Sequence, residues 1–141
     1  MPPEVPDHLV DRELELDLLG VAFLASFRLT GTDNASARWA LHLVASLDEA
    51  LFGCRDCRLV LRAVQTVIRA HGVAAPALVR NELRKMRAFD EMRYVLPSVQ
   101  GGAAGVISAI DGYRDRLFEL AKRRAAYLRA TTEAAQLLES P

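Results

Sequence analysis

The hydrophobic positions of this chain fall into five stretches of helical spacing, separated by glycine, proline and short polar runs. The first is predicted over 7–29, started by Pro6 and Asp7. From Leu18 to Phe27 it is apolar nearly all round, as a helix buried on every side must be. Asp11, Glu13, Glu15 and Asp17 load its first half with negative charge, which the positive end of a helix dipole favours. The turn Thr30-Gly31-Thr32-Asp33-Asn34 closes it. The second, over 35–52, carries Trp39, Leu43, Leu47 and Leu51 as one stripe and stops at Gly53, a residue suited to a left-handed helix end. The third, over 56–71, is capped by Asp56 and followed by Gly72. Cys57, Leu61, Val64, Ile68 and His71 share its inner face. Pro76 suits the first turn of the fourth, which runs over 76–94 with Val79, Leu83 and Met86 inward and stops before Pro97.

The fifth stretch has the clearest rhythm. It starts between Ser98 and Gly105 and ends near Leu138. Val106, Ile110, Tyr113, Leu117 and Leu120 alternate spacings of four and three, and the series continues through Arg124, Tyr127, Thr131, Ala134 and Leu138. That is a heptad seam with polar gaps at Arg124 and Thr131. A helix of about 33 residues would measure roughly 50 Å, longer than a small domain is wide. The expectation is a homodimer, with Val106, Ile110, Tyr113, Leu117, Leu120 and Tyr127 as its seam. Small residues on a neighbouring face, Gly101, Gly105, Ala109 and Gly112, allow close approach of another helix.

Composition supports an all-α five-helix bundle with a long C-terminal helix. Ala and Leu number 22 and 21, against 20 for Val, Ile and Thr together. Unbranched side chains and alanine lose little entropy in a helix, whereas β-branched ones lose χ1 freedom. A chain of 141 residues fits one domain over 1–141, with 1–6 as a flexible N-terminus. The longest nearly apolar run has ten residues, against about 20 for a membrane-spanning helix. The acidic N-terminal segment is unlike a secretory signal, so the expectation is a cytoplasmic protein with no membrane contact and no cofactor.

Three patterns could carry chemistry. Cys54-Arg55-Asp56-Cys57 lies between a glycine stop and a helix start, where the dipole and nearby arginines acidify a thiol. The pair could cycle between dithiol and disulfide. A Cys-x-x-Cys in an all-helical chain resembles the alkylhydroperoxidase/carboxymuconolactone-decarboxylase-like family, over residues 45–73. That resemblance implies redox chemistry at Cys54 and Cys57, with a histidine four residues after the second cysteine moving protons. In this sequence that position is Leu61, and the nearest upstream carboxylate is Glu49. Second, His42, Cys54, Cys57 and His71 would make a sound zinc set. The plainer reading makes Cys57 a small core residue, Cys54 a boundary thiol and His71 a helix-end cation.

Third, the zero net charge hides an asymmetry. Residues 1–53 carry nine acids and three bases, whereas 54–88 carry eight bases and two acids. Arg58 and Arg62 on the third helix and Arg80, Arg84 and Arg87 on the fourth could contact nucleic acid, with 56–71 and 76–94 as a helix-turn-helix. The acidic first helix offers the same arginines an internal partner, and an isoelectric point near 6.8 lacks the usual basic footprint. With no catalytic constellation in view, the expected function is a non-enzymatic interaction or regulatory protein acting through protein contacts as a homodimer. A helix-turn-helix DNA-binding regulator and a Cys-x-x-Cys redox protein are the alternatives.

Overall fold

The computed structural model describes residues 5–29, 35–88 and 107–139. Residues 1–4, the turn over 30–34, Val106, Gly101, Gly105 and the stretch 98–105 lie outside them. The architecture is all-α. Among the described residues the helices are α1 (Arg12–Arg28), α2 (Ala35–Ser46), α3 (Arg55–His71), α4 (Pro76–Lys85) and α5 (Ile110–Glu139). Single 3-10 turns precede α1 (Asp7–Leu9), α3 (Glu49–Leu51) and α5 (Ile107–Ala109).

Helix α1 is central, as its all-round apolarity requires. Leu18, Leu19, Val21, Ala22 and Ala25 are fully buried, and α2, α3 and α5 all pack against it. On α3 the inner face holds Cys57, Leu61, Val64 and Ile68 as the spacing predicts, but His71 is exposed. On α2 the inner face is Ala37, Ala40, Leu41, Leu43 and Val44, and Trp39 stands outside the expected stripe at 47% exposure.

Helix ends differ from the sequence prediction wherever a polar side chain intervenes. Asp7 starts only the 3-10 turn. The true cap of α1 is Asp11, whose carboxylate accepts the Leu14 N–H at 3.0 Å. Helix α2 stops at Ser46, not Phe52. The Ser46 hydroxyl donates to the His42 or Leu43 carbonyl, and Asp48 then caps the turn 49–51 through the Ala50 N–H at 2.9 Å. The last carbonyls of α2 find donors on α3: Gln65 Nε2 reaches Val44 and Leu47, and Arg69 reaches Ala45. Cys54, not Asp56, occupies the N-cap position of α3. Helix α4 ends at Lys85, and residues 89–97 of the expected continuation to 94 and its stop lie outside the described residues. Ala88 N–H bonds back to the Leu83 carbonyl and Arg87 N–H to that of Arg84, a Schellman close that places Arg87 at φ 57°.

Helix α5 changes environment along its length. Ile110, Leu117 and Leu120 are buried against α1 and the turns of the same chain, with Tyr113 half-buried. Ile110, Leu117 and Leu120, expected at a dimer seam, are thus spent on the chain's own core. Arg124 is itself buried, at 8% exposure. Its Nη1 donates to the Leu9 carbonyl at 2.9 Å, and Nη2 to those of Leu51 and Ala50 at 2.9 and 3.3 Å. The polar gap in the seam is thus a forked donor that ties α5 to two irregular segments. Gly53 lies beneath it. Its φ is not positive; space is what it supplies, since a Cβ there would meet Val10 Cγ2 at 2.9 Å and Arg124 Nη1 at 3.3 Å.

Two stability changes are expected. Arg124→Met strands up to three buried carbonyls and should cost about 2–4 kcal/mol by urea unfolding. Arg124→Lys should recover only part, because an ammonium lacks the planar fork. A loss within about 0.5 kcal/mol for Arg124→Met would show that water replaces the guanidinium. Arg87→Gly should raise stability by about 1 kcal/mol, because it removes the left-handed penalty of a residue with a Cβ. An unchanged urea midpoint would refute that.

Candidate functional site

The most concentrated chemistry lies where the loop before α3 crosses the start of α1. Glu15 is fully buried. It shares the α1 face of Leu18, Leu19 and Ala22, at spacings of three, four and seven. Its two carboxylate oxygens accept the Gly53 and Cys54 N–H groups, each at 3.0 Å. These bonds lead the Cys54–Cys57 pair directly to the carboxylate. One ligand atom from each of Glu15, Cys54 and Cys57 lies within 4.8 Å of the other two. Cys57 is fully buried and Cys54 half-buried, and both are free thiols.

Electrostatics work against easy ionisation here. Burial pushes the Glu15 carboxyl above its ordinary pKa; the two backbone N–H groups, Arg124 and Arg58 oppose that without overcoming it. Burial likewise raises the Cys54 thiol, helped by the field of Glu15 and opposed by Arg12. Cys57 is pushed up furthest, by burial first and then by Asp56 and Glu15. The expected acidification of these thiols by a helix start and nearby arginines is therefore outweighed. Arg58, counted among those arginines, spends its guanidinium on the Phe52 carbonyl at 3.0 Å.

The four-residue zinc set does not assemble. Cys57 and His71 sit near opposite ends of α3, fourteen residues apart within Arg55–His71, or roughly 21 Å at 1.5 Å per residue. His42 lies on α2, exposed, with its ring 5.9 Å from that of Trp39. Among the described residues, the acidic or imidazole group that lies nearest the two thiols is Glu15 instead. The position at which the redox family carries histidine, Leu61, is a fully buried core residue. Glu49, the upstream carboxylate, is bound by Arg62 through Nη2–Oε1 at 2.8 Å and Nε–Oε2 at 3.1 Å.

The arginine faces are also divided. On α3, Arg58, Arg62 and Arg69 all bond within the chain, to Phe52, Glu49 and Ala45 respectively. On α4, Arg84 and Arg87 are exposed and Arg80 is half-buried. The internal partner of the third helix is thus Glu49 and backbone carbonyls, while the acidic first helix meets α3 through its one early base, Arg12, which pairs with Asp56 at 2.6 Å.

A cleft of about 250 Å³ opens between α2 and α5, lined by Trp39, His42, Asp48, Arg114 and Phe118 among others. Trp39 Nε1 donates to the Asp111 carboxylate at 3.3 Å, joining the two helices. Comparison of the chain with models of known protein families, with curated proteins and with solved structures finds no match. The family resemblance of the cysteine segment therefore rests on its motif alone.

The raised thiols set an expected order of reactivity. In reduced, chelator-treated protein at pH 8, iodoacetamide should modify Cys54 well before Cys57, and both more slowly than a cysteine in a short peptide. Peptide mapping after timed quenching reads the order. Equal and fast modification of both would show that the loop opens far more readily than its hydrogen bonds imply.

Proposed function

We propose that the protein is a non-enzymatic helical interaction protein that acts as a homodimer through the second half of α5. The observation that carries this is the apolar ridge beyond Arg124. Tyr127 and Thr131 are half-buried, whereas Leu128, Leu137 and Leu138 are 37%, 76% and 88% exposed. Tyr127, Thr131, Ala134 and Leu138 continue the seam, and Leu128 and Leu137 flank it. The segment 125–139 runs about 22 Å past the buried part of the helix at 1.5 Å per residue. Helices of that length are marginal in water without a packed face. A heptad stripe of this kind is complementary to a second copy of itself, the commonest arrangement for soluble oligomers. The charges of the segment beyond Arg124 are of mixed sign: Arg129, Glu133 and Glu139.

Nucleic acid is the weaker reading, because three of the four guanidinium groups of α3, those of Arg58, Arg62 and Arg69, are engaged internally and a helix-turn-helix surface would rest on Arg55 and α4. Light scattering at micromolar concentration is expected to give the mass of two chains. The double change Leu137→Asp with Leu138→Asp is expected to give one chain and to lose helical circular dichroism from about four turns, leaving the core intact. Leu117→Asp is expected instead to unfold the chain, since it forces a charge into the core. A wild type that stays monomeric at high micromolar concentration would refute the proposal, and a dimer that survives the tail substitutions would place its interface elsewhere.

A further inference from the structure

We infer that Glu15, Cys54 and Cys57 form a binding site for a thiophilic divalent cation of the zinc class. The donor set is one carboxylate oxygen and two thiol sulfurs, drawn from two distant parts of the chain and held within 4.8 Å of one another. Ligands around a tetrahedral zinc ion, at bonds of about 2.0–2.3 Å, stand roughly 3.3–3.8 Å apart. The three groups therefore need only a small contraction, and half-exposed Cys54 has the freedom to make it.

The surroundings are those of a built site. The Gly53 and Cys54 N–H groups fix both oxygens of Glu15 and leave each a second lone pair. Such outer hydrogen bonds orient a metal-binding carboxylate. Cys54 is the N-cap of α3 and Cys57 lies in its first turn, so the positive end of the helix faces both sulfurs. Gly53 lets the loop pass close enough for this, since a side chain there would strike Val10.

Charge balance favours the bound state. Two thiolates and a carboxylate around a dication leave one negative charge. Arg12, paired with Asp56, sits beside it and its charge acts on Cys54, and Arg124 and Arg58 also act on Glu15. Binding forms two metal–sulfur bonds and one metal–oxygen bond, and the two thiol protons pass to solvent. Affinity should therefore increase with pH. Three protein ligands leave a fourth position, reached from the half-exposed Cys54 side and filled by water or an added thiol.

The test uses the full chain, reduced and freed of metal, with Zn²⁺ and Co²⁺ as probes. Dialysis against Zn²⁺ should leave one metal ion per chain and raise the melting temperature. Co²⁺ should give the intense near-ultraviolet absorption of thiolate-to-metal charge transfer, and Zn²⁺ should displace it. Cys54→Ser, at a half-exposed position that tolerates change, should abolish that band while the chain stays helical. Glu15→Gln should weaken binding at least tenfold, and His42→Ala with His71→Ala should leave it unchanged. Folded, reduced wild type that shows no charge-transfer band would overturn the inference. So would equal zinc retention by Cys54→Ser, or a Cys54–Cys57 disulfide that forms in preference to the metal complex under mild thiol.

Discussion

The backbone of residues 50–54 decides how this bundle is joined. Between α2 and α3 the chain leaves helix and must bury a stretch of peptide groups with few partners of its own. Glu15 near the start of the first helix accepts two of its N–H groups, and Arg124 on the last helix donates to two of its carbonyls. An acid and a base far apart in sequence thus grip one segment from its two hydrogen-bonding sides. An unpaired buried peptide group costs roughly 1–3 kcal/mol, so this clamp outweighs any single surface ion pair of the molecule. It also fixes where Cys54 begins α3, and therefore where both thiols lie.

That clamp explains why charge blocks were a poor guide to pairing. The negative first third and the positive middle balance in number, yet Glu15 spends its charge on backbone N–H groups and Arg124 belongs to neither block. The ion pair between α1 and α3 has the reverse polarity, Arg12 with Asp56. Arg62 does pair with the acidic block, but through Glu49, thirteen residues away, rather than through the first helix. Proximity and hydrogen-bond geometry select partners at a few ångströms, where block sums carry no information.

The helices themselves were legible because their cause is local. A 3.6-residue apolar rhythm, Gly72 at a left-handed helix end and Pro76 in a first turn all act within a few residues. Glu15 was legible only in part: it lies on the face of Leu18 and Leu19, and a charge on so apolar a face signals a buried partner, but not which one. The partner, the loop at 53–54, is fixed by tertiary packing. Arg124 read as a gap in a seam for the same reason. The early end of α2 followed from competition between Ser46, Asp48 and the helix backbone, a contest that spacing does not resolve. Trp39 was placed inside on periodicity, whereas its indole instead reaches Asp111 on another helix.

Arg124 also divides α5 into two physical regimes. Before it, heptad positions are filled by Ile110, Leu117 and Leu120 and are covered by α1. After it, the same rhythm continues without cover among the described residues. Alanine at 125, 126, 130, 134 and 135 gives this half high intrinsic helix propensity, which offsets only part of the instability of fifteen residues without a packed face. Propensity does not account for Leu137 and Leu138, since exposed leucines add little to helix formation that alanine does not supply. Their burial against another surface would stabilise by roughly 25 cal/mol per Å² of apolar area. A ridge kept in register with the core seam, yet set beyond it, is the surface the proposed homodimer would use: the guanidinium anchors the helix to its own chain, and the apolar turns past it stay exposed.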